Sequence, residues 1–236
     1  MKKIYFLIKN LIYFFQKIKL IYIASKENIT LILRIKILFL FFFHFFFNLL
    51  FINRKYKYYM KNFRENFIKF KFSHDWFSDN IPIWKYIFNK NKLNDVTDIL
   101  EIGSFEGMSA LFLLKNFENS KIDCVETFKG SDEHGDISFK KVKNNFLFNL
   151  KDYEKKFHLF ERESDFFFQN IDKSKKNYDL IYIDGSHHGE QVFRDAKNCF
   201  DCLKLNGIMI FDDFLKEYYN EKHENTIGGV LNFIQK

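Results

Sequence analysis

Two stretches in the carboxyl-terminal half hold the residue types best suited to chemistry. Tyr182-Ile-Asp184-Gly-Ser-His187-His188 and Ile210-Phe-Asp212-Asp213 each place acids directly after an apolar run. If those runs are neighbouring parallel strands, Asp184, Asp212 and Asp213 meet at one sheet edge. There they form a set of hard oxygen donors suited to Mg²⁺ or a similar divalent cation. Without a cation their mutual repulsion raises at least one pKa. His187, three residues beyond Asp184, is spaced to take a proton from a hydroxyl held at that edge. His188 reads as a neighbour rather than a second base.

A second group lies upstream. In Glu101-Ile-Gly103-Ser104-Phe-Glu-Gly107 the glycines permit a tight turn and close approach of a ligand, ahead of a helix with free N–H groups. The spacing is G-x-x-x-G, which argues against the G-x-G-x-x-G turn of a nicotinamide dinucleotide enzyme. An acid two residues before the first glycine is poorly placed for a pyrophosphate and well placed for a cationic amino group. Taken alone, an ordinary strand-to-helix turn accounts for this motif equally well. Glu126, at the end of Ile122–Val125, is placed to accept hydrogen bonds from two ribose hydroxyls, or to stand as a solvent-exposed strand-end acid.

The elements that must position these groups follow from periodicity. Short apolar runs at Asp98–Ile102, Ile122–Val125, Phe157–Phe160, Leu180–Ile183 and Gly207–Phe211 predict five strands. Helical patterns at Gly107–Phe117, Phe139–Leu150, Asp165–Ile171 and Glu190–Leu203 separate them. The alternation predicts an α/β fold, a doubly wound and mostly parallel sheet covered on both faces. In such sheets a ligand sits beyond the carboxyl ends of the strands, where both motif groups fall. Upstream, Ser78 or Asp79 can cap a helix with Pro82 in its first turn. Trp76 and Trp84 are read as core, with a ligand-lining role open for Trp76.

The 236-residue chain is asymmetric in charge. Residues 1–70 carry fourteen Lys and Arg against two acids, and the remainder 23 against 28. This divides the chain into an apolar, basic helical extension (1–70) and an α/β domain (71–236). The abundance of Phe (34 residues) goes with that of Lys, Ile and Asn and reads as AT-rich coding, not as a functional signal. The segment 4–24 resembles an interfacial helix. The run Ile37–Ile52 reaches about 24 Å, short of the roughly 30 Å hydrocarbon core. Residues 1–52 are therefore expected to contact a membrane surface, with helical packing on the body as the other reading. Nucleic acid is not expected as a partner, because the body has no basic face. Cys124, Cys199 and Cys202 are too few for a disulfide framework, and Cys199-x-x-Cys202 lies within a helical run. A reduced, cytoplasmic setting fits, with attachment to the inner face of the membrane.

From about Phe72 to Phe214 the sequence resembles the class I S-adenosylmethionine-dependent methyltransferases, in a bacterial small-molecule branch. The markers are D-W-F-S-x-N-I-P (Asp75–Pro82), L-E-I-G-S-F-E-G (Leu100–Gly107), Y-I-D-G-S-H (Tyr182–His187) and G-I-M-I-F-D-D (Gly207–Asp213). The resemblance implies that Glu101, Gly103, Ser104 and Gly107 hold the methionine end of S-adenosylmethionine and Glu126 its ribose. Glu163 or Ser164 would stand near the adenine, and His134 would border the substrate. The pattern Asp184-x-x-His187 with Asp212-Asp213 is similar to the metal-dependent sugar O-methyltransferases of macrolide biosynthesis. That similarity implies Mg²⁺ on Asp184, Asp212 and Asp213, His187 as general base, and a sugar or other small polar molecule as methyl acceptor. One departure bears on activity. The antiparallel strand pair that ordinarily ends this fold has no counterpart after Asp213, so the chain is expected to be cut short. A non-catalytic cofactor-binding remnant, held at a membrane, is the alternative.

Overall fold

The structure is a computed structural model, and it describes residues 16–23, 30–47, 51–130, 137–172 and 177–235. His134 lies outside them, as does most of the predicted helix 4–24. Residues 16–23 form helix α1, followed by α2 (Leu31–Phe47), α3 (Asn53–Glu65) and α4 (Ile81–Lys90). From there strands and helices alternate: β1 (Asp98–Ile102), α5 (Met108–Asn116), β2 (Lys121–Glu126), α6 (Phe139–Leu150) and β3 (Phe157–Glu161). The series continues with α7 (Ser164–Gln169), β4 (Tyr178–Ile183), α8 (Gly189–Phe200), β5 (Leu203–Phe211) and α9 (Thr226–Gln235).

All five strands are parallel, in the order β3-β2-β1-β4-β5. The order reverses between β1 and β4, which opens a crevice at their carboxyl ends. Successive side chains of a strand point to opposite faces, and here each face has its own core. Ile99, Ile122, Leu180 and Tyr182 pack with Trp84, Leu111, Phe112 and Phe146 on one side. Leu100, Ile102, Ile181 and Ile183 pack with Phe167, Phe168, Cys199 and Cys202 on the other. Burying each such aromatic or aliphatic side chain contributes about 1.5–3 kcal/mol, and this doubly covered sheet is what makes the strand ends a rigid platform. Helix α3 joins the first core through Phe63 and packs along α4. Helices α1 and α2 pack on α9, with Leu20 and Ile21 buried against Ile227 and Leu231. No described helix is long and apolar enough to cross a membrane.

Two predicted boundaries move. Helix α8 stops at Phe200, not Leu203, and β5 begins four residues earlier than Gly207. The cause is an irregular register, in which Leu203 pairs with Tyr178 and Ile208 already pairs with Leu180. The left-handed Asn206 (φ 66°) lies inside that bulge. The first turn of α4 also differs from expectation. Ser78–Asn80 form a 3₁₀ turn, Asn80 is the helix-capping residue, and Pro82 occupies the first turn. Ser78 and Asp79 are drawn away to Arg64 (2.6 and 2.8 Å), so neither caps the helix.

Candidate active site

The loop between β1 and α5 is shaped by close approach. Gly103 has φ 84°, and a Cβ there would lie 2.1 Å from the Asp184 carbonyl oxygen. Only glycine satisfies both conditions, which lets the loops after β1 and β4 touch. Gly107 (φ 77°) precedes the first turn of α5. Between them, Glu126 at the end of β2 accepts the N–H groups of Ser104 and Phe105, both at 2.9 Å. Its other oxygen accepts the Phe128 N–H at 2.8 Å. Three of the roughly four lone-pair positions of this carboxylate are thus engaged by backbone N–H groups, the Thr127 hydroxyl stands 3.5 Å from Oε1, and the side chain still forms part of the cavity wall.

Glu101 is fully buried beneath the same loop and does not line the cavity. Burial pushes its carboxyl up to about 7. Its Oε1 and the Ser104 Oγ are buried with no hydrogen-bond partner, and the Cys124 thiol is 3.8 Å from Oε2. Buried polar atoms are rarely left unsatisfied without a function. Glu106, unremarked in the sequence, is the hub of the loop. It accepts the Ser73 N–H (2.5 Å), the Ser73 hydroxyl (2.9 Å) and the Asn145 amide (2.7 Å), and its backbone carbonyl accepts the Asn149 amide (2.8 Å). It thereby fixes the strap 73–80, whose Trp76 stacks against Phe105 at 4.7 Å and lines the cavity, while Trp84 is core. Arg64 of α3 holds the other end of the strap through Asp75, Ser78 and Asp79.

The acids after β4 and β5 are arranged differently. The Tyr182 hydroxyl lies 2.9 Å from Asp184 and 2.7 Å from Asp212. A phenol has one proton to donate, so two ionised carboxylates cannot both be satisfied by it. Burial and the neighbouring Asp212 accordingly push the Asp184 carboxyl well above the usual carboxylate range, and Asp212 is raised by burial too. Asn80 reaches Asp212 from the strap at 3.3 Å. Asp213, at φ 48°, turns instead to the Tyr218 hydroxyl, to Lys216 (3.0 Å) and to His187 Nε2 (3.6 Å). His187 is buried, and its ring stacks flat on Tyr218, 4.5 Å between centroids. The backbone N–H of His188 donates to the Ser186 hydroxyl oxygen (3.2 Å), just ahead of α8.

One cavity of about 500 Å³ is lined by Gly103, Ser104, Glu126, Asp184, His187, Asp212 and Asp213 together, a volume ordinary for a small-molecule site. Residues of both sequence motifs line this one cavity, and three placements differ from the sequence reading. Glu101 supports the wall from behind. Glu163 stands exposed at the rim, paired with Lys129 at 3.7 Å, while Ser164 turns inward to Asp195 (2.6 Å) beside Gln191. The three aspartates surround the cavity without meeting at a point. Among the described residues no three His, Cys, Asp or Glu groups lie close enough to hold one ion together. Like charges spread apart, and each acid has taken a donor from the protein: Tyr182, Asn80, Lys216 or Tyr218.

Comparison with known proteins bears on what this cavity serves. The family described as a methyltransferase domain matches residues 100–214. Over those residues this chain is similar to a methyltransferase domain. The matched segment runs from within β1 to the residue after Asp213, so it contains the loops after β1, β2 and β4 and both acids after β5, while the strap 73–80 and Tyr218 lie outside it. Among solved structures, an O-methyltransferase from Bacillus cereus in complex with SAH is similar over 80% of this chain and 81% of its own, at 13% identity and TM-score 0.51. MycE, a methyltransferase of the mycinamycin biosynthetic pathway in complex with Mg and SAH, is similar over 74% of this chain at 18% identity and TM-score 0.50. This chain spans 44% of MycE's length. At these identities the likeness is one of fold. No curated protein matches the sequence.

Proposed function

We propose that the methyltransferase domain binds S-adenosylmethionine in this cavity and methylates a hydroxyl of a small polar acceptor, with a sugar the favoured class. The observation that carries the reading is the convergence on one cavity of two dissimilar groups. One is a glycine turn backed by Glu101 and Glu126, and the other a set of acids beside a buried histidine.

The cofactor fits the first group. Its ammonium group suits the floor where the Ser104 hydroxyl lines the cavity and the buried Glu101 carboxyl lies behind it. Its ribose suits the Glu126 oxygen that the Thr127 hydroxyl approaches only to 3.5 Å, and the Ser164–Gln191–Asp195 cluster offers donors and acceptors for an adenine edge. Glu163 at the rim is secondary in this reading.

The acceptor belongs to the second group. His187 Nε2 faces the Asp213 carboxylate, which favours the imidazolium formed when the acceptor hydroxyl gives up its proton. Stacking on Tyr218 holds the ring plane fixed during that transfer. The acceptor oxygen bonds to the methyl carbon as the carbon–sulfur bond breaks, leaving a methyl ether and the thioether product. Asp184, Asp212 and Asp213 have the donor chemistry for Mg²⁺ although as placed the three do not converge on one point; Asp184 and Asp212, which share the Tyr182 proton, are the pair whose excess charge a cation would offset. A bound Mg²⁺ would lower the acceptor hydroxyl's pKa and orient it.

Isothermal titration of the folded chain with S-adenosylmethionine tests the first half, and a flat titration sinks it. The metal is tested separately. Activity that survives both chelator and Asp184→Asn removes Mg²⁺ from the proposal and leaves the methyl transfer standing.

A further inference from the structure

Helix α2 is apolar on both of its sides. Leu33, Ile37, Leu38 and Phe41 face inward, packing with α1, α9 and the pair Phe214–Leu215 that directly follows Asp213. The outer side carries Leu31, Ile32, Ile35, Phe39, Leu40 and Phe43, all exposed, with Ile32 at 82% and Phe39 at 66% of full accessibility. Their three- and four-residue spacing places them on one stripe along a 17-residue helix. That stripe is about 18 Å long. A helix docked on a soluble body ordinarily turns a polar face to water. An exposed apolar stripe of this size, broken only by Lys36, marks a surface that meets another phase or another molecule.

The charge around the stripe identifies which. Lys36 lies within it, and the first turns of α3 expose Arg54, Lys55 and Lys57 beside Tyr58. Between Thr30 and Arg64 there is no acidic residue. Two copies packed stripe to stripe would set these cations against one another. An anionic phospholipid surface takes both features at once, apolar side chains among acyl chains and Lys, Arg and Tyr among headgroups. Spanning is excluded for this helix by its length against the ~20 residues a bilayer needs, and by the commitment of its inner side to α9.

We infer that α2 lies in the plane of an anionic membrane surface, its Ile32–Phe43 stripe embedded and the basic start of α3 at the headgroups. Its inner side shares the α1–α9 cluster with Phe214–Leu215, the pair that directly follows Asp213 in the candidate site. The inference does not depend on the reaction assigned to that site.

Flotation of the full chain with phospholipid vesicles tests it. The chain is expected to rise with phosphatidylglycerol-containing vesicles and at least about tenfold less with pure phosphatidylcholine. Added salt should weaken the association. Ile32→Ser with Phe39→Ser should abolish flotation while leaving the circular dichroism melt unchanged. If that variant melts early, Lys36→Glu with Lys55→Glu replaces it, since both side chains are exposed; it should lower binding by about 10²-fold. A chain that stays in the aqueous phase with both vesicles, or variants that float as well as the parent, overturns the inference. So does a dimer that the serine variant converts to monomer with no vesicle binding, because the stripe then belongs to a second copy. Flotation combined with a flat S-adenosylmethionine titration would sink the proposed activity and leave the membrane surface intact.

Discussion

The two halves of the sheet edge solve their electrostatics in opposite ways. After β1 and β2, carboxylates are matched to donors: Glu126 accepts three backbone N–H groups and Glu106 three further donors. After β4 and β5, three aspartates draw on two phenol protons, one asparagine amide, one exposed lysine and a histidine. The first half is organised before any ligand arrives. In the second, burial and mutual repulsion raise the carboxyls of Asp184 and Asp212, so a proton or a cation is favoured there. A rigid cradle suits a constant cofactor, and a charge deficit suits chemistry in which a proton must move.

Variants should separate the halves. His187→Ala is expected to lower kcat by about 10²–10⁴-fold with cofactor affinity unchanged, measured by single turnover and titration. Equal losses in both would erase the division. Gly103→Ala crosses it, since the new methyl would meet the Asp184 carbonyl. The left-handed backbone alone costs about 1–3 kcal/mol, so thermal melting should fall and both cofactor binding and turnover should suffer. Tyr182→Phe should act on the acid side alone, costing about 1–3 kcal/mol near neutral pH and much less in acid, where the carboxyls are protonated. Denaturant melts at two pH values read this.

The smallest effect is titratable. Glu101 has its carboxyl raised to about 7 by burial. A raised acid stabilises the fold below its unfolded value near 4.3 and loses that contribution as pH rises through 7. Binding of a cationic amino group runs the other way. Affinity for S-adenosylmethionine should climb up to tenfold per pH unit below about 7 and level off above. Glu101→Gln should flatten that climb, and a profile indifferent to the substitution would detach Glu101 from the cofactor half.

The parallel alternation of strands and helices was legible because parallel strands buried on both faces read as plain apolar runs, with the candidate site residues just beyond their ends. Four of five strands began and ended within two residues of expectation for that reason. The β5 start was not legible, since a bulge containing Asn206 and Gly207 looks like a loop. Nor was the service performed by Glu106, Asn80 and Tyr182, whose partners stand between 2 and 132 positions away. Only Tyr182 left a usable trace: two residues before Asp184 on a strand, it had to share that aspartate's face. The wide placing of the aspartates was hidden too, because spacing fixes where side chains start and not which donor each will find.

Glu106 has a mechanical corollary. One carboxylate belongs to the glycine turn yet holds the strap that carries His74 and Trp76. Turn and strap are thereby joined, and a substitution that loosens one loosens the other wall of the cavity with it.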